Sequence, residues 1–358
     1  MWMRNVFNTV KMYRLRRHTI KFEAENMRKS VLTQLSQEEW NQIQNRWSGI
    51  SKIGIKPLYW QMFKKMDHFS SDFVSDDLFM PWVLQRLNDT QEANAFEHKG
   101  YYDVLFGNTI KRPQTIANCV RGILYTADMD LLPKQELLLR LKGLDSFIIK
   151  PTKGGWGGGN VKKVVPASES IEHIINEYER KSGNFIIQPL VHQSERTALF
   201  NRDSLNTFRI STLCLNGKVS LCTILFRCGR PGVFVDNGAA GGFMVGVDET
   251  GRFREFAYNN RYERFYDNGN GVQFKDGDIP NMYEIVEKIK MVHQKCLPSI
   301  GFAGWDIAID ENDEPLMVEV NLSWPGVQFE QLCPGKPIFG NRTEEVVDFC
   351  RNTPSPII

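Results

Sequence analysis

Asp306, Glu319 and Asn321 are oxygen-bearing side chains spaced so that one hairpin can present them together. Trp305 to Ile309 and Leu316 to Val320 read as two strands around Glu311-Asn312-Asp313-Glu314. Pairing Asp310 with Pro315 across that loop sets Asp306 opposite Glu319. Asn321, two residues further on, then shares the side of Glu319. Facing residues on a pleated pair have Cβ atoms about 4.5–5.5 Å apart, and like charges so placed are destabilising unless a cation lies between them. Oxygen ligands select hard ions, and magnesium held by one or two carboxylates with phosphate oxygens completing its octahedron fits this set. The competing account is an exposed hairpin with ordinary surface acids. Trp324-Pro325-Gly326, directly after the motif, is unusual for a plain surface turn.

A second group of residues is suited to phosphate. Phe147-Ile148-Ile149-Lys150 reads as a buried strand, Gly154-Gly155-Trp156-Gly157-Gly158-Gly159 follows, and Val161 to Val165 reads as the returning strand. The glycines therefore form a hairpin tip, where Gly155, Gly157, Gly158 and Gly159 let backbone amides approach phosphate oxygens and Lys150 adds positive charge. The stretch is no Walker A loop, because Gly159 is followed by Asn160-Val161, and no H-R-D or D-F-G accompanies it. A flexible structural loop is the alternative. Gln188, Pro189, Leu190 and Val191 end a further strand at a proline that cannot continue a ladder. They read either as an ordinary edge strand or as a link whose backbone meets an adenine edge. Arg209 lies on a strand paired with Val219 to Phe226 about the Asn216-Gly217 turn, with Arg227 just beyond.

A strand lysine, a glycine-rich hairpin, a helix, a linker strand, an arginine strand and a final D…E-x-N hairpin occur here in an order that resembles the ATP-grasp superfamily. Asn206-Thr207-Phe208-Arg209, Val235-Asp236-Asn237, Gly241-Gly242 and Glu319-Val320-Asn321-Leu322-Ser323-Trp324-Pro325-Gly326 look most like its sugar-transfer-associated branch, linked to bacterial cell-surface polysaccharide synthesis. The resemblance covers about residues 95 to 345. It implies that Lys150 contacts the α- and β-phosphates of ATP, that 154–159 closes over the triphosphate and that Gln188 to Val191 form the adenine hinge. It further implies Asp306, Glu319 and Asn321 as Mg2+ ligands, Arg209 at the γ-phosphate or acyl phosphate with Arg227 near the same pocket, and Lys99 as a further nucleotide-binding lysine. The candidate acid for the ribose hydroxyls is Glu195. Trp156 departs from the pattern as a bulky residue among the glycines.

The resemblance implies an α/β (α+β) chain to position these residues: an ATP-grasp fold with two α+β lobes clasping the nucleotide, preceded by a mainly helical region. The expected boundaries are 1–94 for the helical region, 95–345 for the ATP-grasp domain (95–190 and 191–345 for its lobes) and 346–358 for a C-terminal tail, and the stretch after Cys333, with its Pro and Gly, is expected to wrap the surface. Ser168, Glu169 and Glu172 mark the start of an amphipathic helix ending near Gly183, and Ile285 to Cys296 mark a long one. Within residues 1–21, Arg4, Lys11, Arg14, Arg16, Arg17 and Lys21 precede the first acid, with Trp2, Val6, Val10 and Tyr13 at helical spacing. This predicts either a helix docked on its own protein or peripheral contact with an anionic membrane face.

The chain of 358 residues is 42% hydrophobic and 24% charged with a formal charge of +2, which fits a globular protein and argues against an electrostatic nucleic-acid binder. Seven cysteines without a C-x-x-C pair fit a reducing cytoplasm. The resemblance implies a ligase that spends ATP to activate a carboxylate for an amine or similar nucleophile on a small-molecule or sugar-linked substrate. An ATP-grasp kinase acting on a sugar hydroxyl, or a nucleotide-binding component of a polysaccharide assembly complex without turnover, are the alternatives. The oligomeric state has no signature in the sequence.

Overall fold

A computed structural model describes Arg17, Ile20, Lys21 and residues 32–51, 54–153, 160–232 and 241–354. Most of the basic segment 1–21, the glycines 154–159 and the Val235-Asp236-Asn237 motif lie outside the described residues.

Two antiparallel sheets organise the described chain. The smaller contains β1 (Ala117–Val120), β2 (Ile123–Tyr125), β3 (Phe147–Pro151), β4 (Lys162–Val164) and β5 (Phe185–Pro189), in the order β2-β1-β5-β3-β4. The larger contains β6 (Thr207–Leu215), β7 (Lys218–Cys228), β8 (Phe243–Val247), β9 (Phe253–Tyr258), β10 (Arg264–Phe265), β11 (Phe302–Ile309) and β12 (Pro315–Asn321), in the order β10-β9-β8-β7-β6-β11-β12. The expected mixed α+β architecture with two sheet-based lobes is what forms.

Helices Lys134–Lys142 and Ile171–Lys181 cover the small sheet, where Leu137, Leu141, Ile171 and Ile175 pack with Phe147, Ile149, Phe185 and Ile187. The second helix starts two residues later than Ser168 predicts. Ser170 is the cap, its hydroxyl accepting from the His173 amide at 3.4 Å, while the Glu169 carboxylate turns back to accept from the Val165 amide.

The strands of the large sheet alternate. Phe208 and Ile210 on β6 face the long helix Met282–Cys296, whose Ile285, Ile289 and Val292 are buried. The opposite face of β6 is divided: Leu213 and Leu215 enter a core with Trp47, Trp60, Phe63 and Phe79 from the N-terminal helices, whereas Arg209 faces a cavity. The predicted helical character of the first ninety residues appears as Gln37–Arg46, Leu58–Lys65 and shorter turns up to Thr90–Phe96. Past Cys333 the chain does not merely wrap the surface. Thr343–Asn352 is a helix whose Val346, Val347 and Cys350 join that same core. Among the described residues, no helix is long and apolar enough to cross a membrane.

Trp60 is fully buried at the junction between the N-terminal helices and the large sheet. Trp60→Ala should therefore cost about 3–5 kcal/mol of stability. Urea unfolding followed by far-ultraviolet circular dichroism measures this, and an unchanged midpoint would show that the N-terminal region does not share the sheet's cooperativity.

Candidate functional site

The C-terminal hairpin reaches its expected pairing by an unexpected route. At the turn Ile309, not Asp310, pairs with Pro315, and that register continues through Ile307 and Met317. Carried further, it would set Asp306 opposite Val318. A bulge at Val318 inserts one unpaired residue, after which Asp306 faces Glu319 and Gly304 faces Asn321. Asp306 also faces Arg209 across β6 on its other side.

This double pairing decides the electrostatics. Arg209 donates to Asp306 from Nε to Oδ1 at 2.6 Å and from Nη2 to Oδ2 at 3.4 Å, and Arg227 approaches Oδ2 at 3.0 Å. Asn321 Nδ2 donates to the same Oδ2 at 3.3 Å. Burial alone would raise the Asp306 pKa, but the two guanidinium groups outweigh it and bring the value down to about 2. Glu319 is taken up separately, its Oε1 lying 2.7 Å from Lys99 Nζ. The expectation that the facing carboxylates need a metal for charge balance is thus revised. Arg209, Arg227 and Lys99 supply the counter-charge from within the chain.

Arg209 can lie across β11 because residue 304 is glycine: a Cβ there would fall 3.2 Å from Arg209 Cδ and 3.3 Å from its Nη1. Its Nη1 donates to the Pro325 carbonyl at 2.6 Å and lies 3.6 Å from Oε1 of the buried Glu330, whose pKa burial pushes upward.

A cavity of about 1050 Å³ gathers Lys99, Lys150, Arg209, Arg227, Asp306, Glu319 and Asn321, together with Gln188, Pro189, Leu190 and Val191. Gly155, Gly157, Gly158 and Gly159 fall outside the described residues, but β3 and β4 pair in antiparallel fashion, Ile149 with Lys162, so the glycines connect two neighbouring strands. The linker strand is not at an edge: β5 lies between β1 and β3, and Gln188 Nε2 donates to the Pro113 carbonyl at 3.1 Å. Lys150 projects from β3 into the cavity. Burial, with a smaller push from Lys99 against a pull from Glu319, lowers its pKa to about 8. Glu195 lines the cavity but is paired with Arg202 at 2.5 Å.

Among the described residues, no three His, Cys, Asp or Glu side chains converge on a metal-sized point. Glu319 and Asn321 line the cavity, held by Lys99 through Oε1 and by Asp306 through Nδ2, and their other side-chain oxygens suit an ion that takes its remaining ligands from phosphate and water. Both oxygens of Asp306 are occupied by cationic and amide donors. Two acids that sequence reasoning missed also belong to this neighbourhood. Glu330 has no motif of its own, and Glu97, two residues before Lys99, accepts from the Leu322 and Ser323 amides.

A family model described as sugar-transfer associated ATP-grasp matches residues 83–347. Among curated proteins there is no match. Solved structures with similarity include an L-amino acid ligase from Bacillus licheniformis, with TM-score 0.35 and 15% identity, covering 65% of this chain and 42% of that one. The ATP-grasp ligase PsnB with its minimal precursor has TM-score 0.44 and 11% identity, covering 73% and 64%. D-alanyl-alanine synthetase A from Vibrio cholerae O1 biovar eltor str. N16961 has TM-score 0.40 and 12% identity, covering 72% and 62%. This chain therefore spans less than two thirds of the length of each of the three.

Asp306→Ala would leave Arg209 and Arg227 close together without their shared carboxylate. Breaking a buried pair in this way costs about 3–5 kcal/mol, so the variant should unfold at clearly lower urea than the parent at pH 7. The carboxylate's depressed pKa also means that its stabilisation is complete above the unfolded value near 4 and is lost as pH falls through about 2. A variant as stable as the parent at pH 7 would remove Asp306 from the role of counter-ion.

Proposed function

Because the chain belongs to the sugar-transfer associated ATP-grasp family, we propose that it is an ATP- and Mg2+-dependent ligase that activates a carboxylate as an acyl phosphate. The acyl phosphate is then coupled to an amine or similar nucleophile. The observation that carries this reading is the convergence of two lysines, two arginines and the Asp306, Glu319 and Asn321 set on one cavity.

In this reading Lys150 and Lys99 meet the α- and β-phosphates, Gln188 to Val191 contact the adenine, and the glycines 154–159 cover the triphosphate. Glu319 and Asn321 would hold Mg2+, which supplies neutralisation of phosphate charge. Asp306 is free to join them only when Arg209 and Arg227 turn toward phosphate. A substrate carboxylate oxygen attacks the γ-phosphorus, the bond to the bridging oxygen breaks and ADP departs. The amine then attacks the acyl carbon, phosphate leaves with the bonding pair, and the nitrogen loses its proton. Arg209 and Arg227 stabilise the charge that develops on the transferring group, and the enzyme itself needs no nucleophile. The sugar-transfer association in the family description supports a small-molecule or sugar-linked substrate, and in this reading it belongs to cell-surface polysaccharide synthesis and is handled on the cytoplasmic side.

The product test separates ligase from kinase. With ATP, Mg2+ and a panel of amino acids and amino or uronic sugars, ADP and free phosphate should appear together only when carboxylate and amine are both present, and Glu319→Ala should abolish turnover. A stable phosphorylated sugar without released phosphate would replace the ligase by the kinase.

Lys150 gives a pH signature. Its ammonium form is the one that binds phosphate, and it is the majority form below about 8. Nucleotide affinity should thus be flat between pH 6 and 7 and fall by up to about tenfold per unit above pH 8. Proton uptake near pH 8, seen as calorimetric heats that vary with buffer ionisation enthalpy, should disappear in Lys150→Met. The same pH profile in the variant and the parent would take Lys150 away from the phosphates.

A further inference from the structure

The loop after β12 is fastened by acids that belong to neither strand of its hairpin. Glu97 Oε1 accepts from the Leu322 amide at 2.5 Å and the Ser323 amide at 2.6 Å. At the far end Asp76 Oδ1 accepts from the Val327 amide at 3.0 Å. Between these two grips lies the Pro325 carbonyl that receives Arg209 Nη1 at 2.6 Å. The grips are also unequal in origin. Glu97 lies inside the span 83–347 matched by the family model, whereas Asp76 precedes it and comes from the N-terminal helical region.

Glu97 also begins a short segment that reaches the other sheet. His98 Nε2 lies 3.3 Å from Thr152 Oγ1, the Lys99 amide donates to the Thr152 carbonyl at 3.1 Å, and Asn118 Nδ2 on β1 donates to the Gly100 carbonyl at 2.6 Å. Lys99 then returns to Glu319 with its side chain. Residues 97–100 therefore join the end of β3, next to the glycine segment, to the end of β12.

We propose that Glu97, assisted by Asp76, is a positioning residue of the nucleotide site. It holds the backbone after Asn321 so that the Asn321 amide and the Pro325 carbonyl stay where Arg209 and a bound Mg-ATP require them. A carboxylate suits the task because two adjacent amide donors converge on one of its oxygens, and hydrogen bonds to a charged acceptor are the stronger kind. The inference rests on the ATP-grasp reading of the cavity. It goes beyond that reading by giving the site two residues whose part is to hold the loop backbone in place.

The test compares Glu97→Ala, which removes the acceptor, with Glu97→Gln, which keeps a carbonyl oxygen able to receive both amides. The full chain is used at a temperature where circular dichroism shows each protein folded. Hydrogen–deuterium exchange should speed up at Leu322 and Ser323 in Glu97→Ala, and at Val327 in Asp76→Ala. Mg-ATP affinity, measured by calorimetry, should fall about tenfold or more in Glu97→Ala and stay within about twofold of the parent in Glu97→Gln. Should the alanine variant not fold, Glu97→Asp, which draws the carboxylate back by one methylene, carries the same expectation in weaker form. Parental exchange in Glu97→Ala overturns the clamp, and faster exchange with parental Mg-ATP affinity reduces it to a structural contact. A parent protein that does not bind Mg-ATP at all overturns the ATP-grasp reading itself, a result distinct from both.

Discussion

Asp306 is the point on which the site turns. Its strand is flanked by β6 and β12, so one carboxylate faces an arginine on one side and a glutamate on the other. A buried carboxylate is costly alone, and so are the buried Arg209 and half-buried Arg227 guanidinium groups. Placed on adjacent strands they offset one another, and the same ladder hydrogen bonds that build the sheet fix their separation. Gly304 removes the side chain that would push Arg209 away, and the Pro325 carbonyl accepts from its Nη1. The constraint is thus shared between the sheet, a glycine and a loop.

The internal charge balance alters how the metal set is understood. Carboxylates that are already neutralised can wait for a cation without distorting the sheet, and the lysine and arginines that neutralise them are the groups a triphosphate would attract. Binding would then proceed as an exchange of partners within one set of charges rather than as the filling of a bare acidic site. Exchange of this kind keeps the desolvation penalty small for Asp306, Glu319, Arg209, Arg227 and Lys99, because each of them keeps an opposite neighbour.

Much of the site was legible in the sequence because its motifs are local. The hairpin carrying Asp306, Glu319 and Asn321, the lysine strand ahead of the glycines and the Asn216-Gly217 turn each declare themselves within about twenty residues. What stayed hidden depends on long-range geometry. The bulge at Val318 has no signature in Leu316 to Val320, and a continuous register counted from Asp310 reached the observed pairing only because the bulge compensates a turn that closes one residue earlier. The partners of Asp306 come from residue 209 and residue 227, and those of the 322–327 loop from residues 76 and 97. No pattern of composition or periodicity links positions so far apart. The central placement of β5 and the burial of the C-terminal helix are tertiary outcomes of the same kind.

The bulge at Val318 has a bearing on ligand chemistry as well as on register. A regular strand offers alternate residues to one side, so an apolar side chain and a charged one in succession point apart. At a bulge this alternation lapses, and Val318 and Glu319 both line the cavity. Consecutive positions therefore supply a greasy surface and an anion a few ångströms from each other. A ligand that brings an apolar surface next to a cation meets both kinds of wall there, and a uniformly polar molecule meets only one.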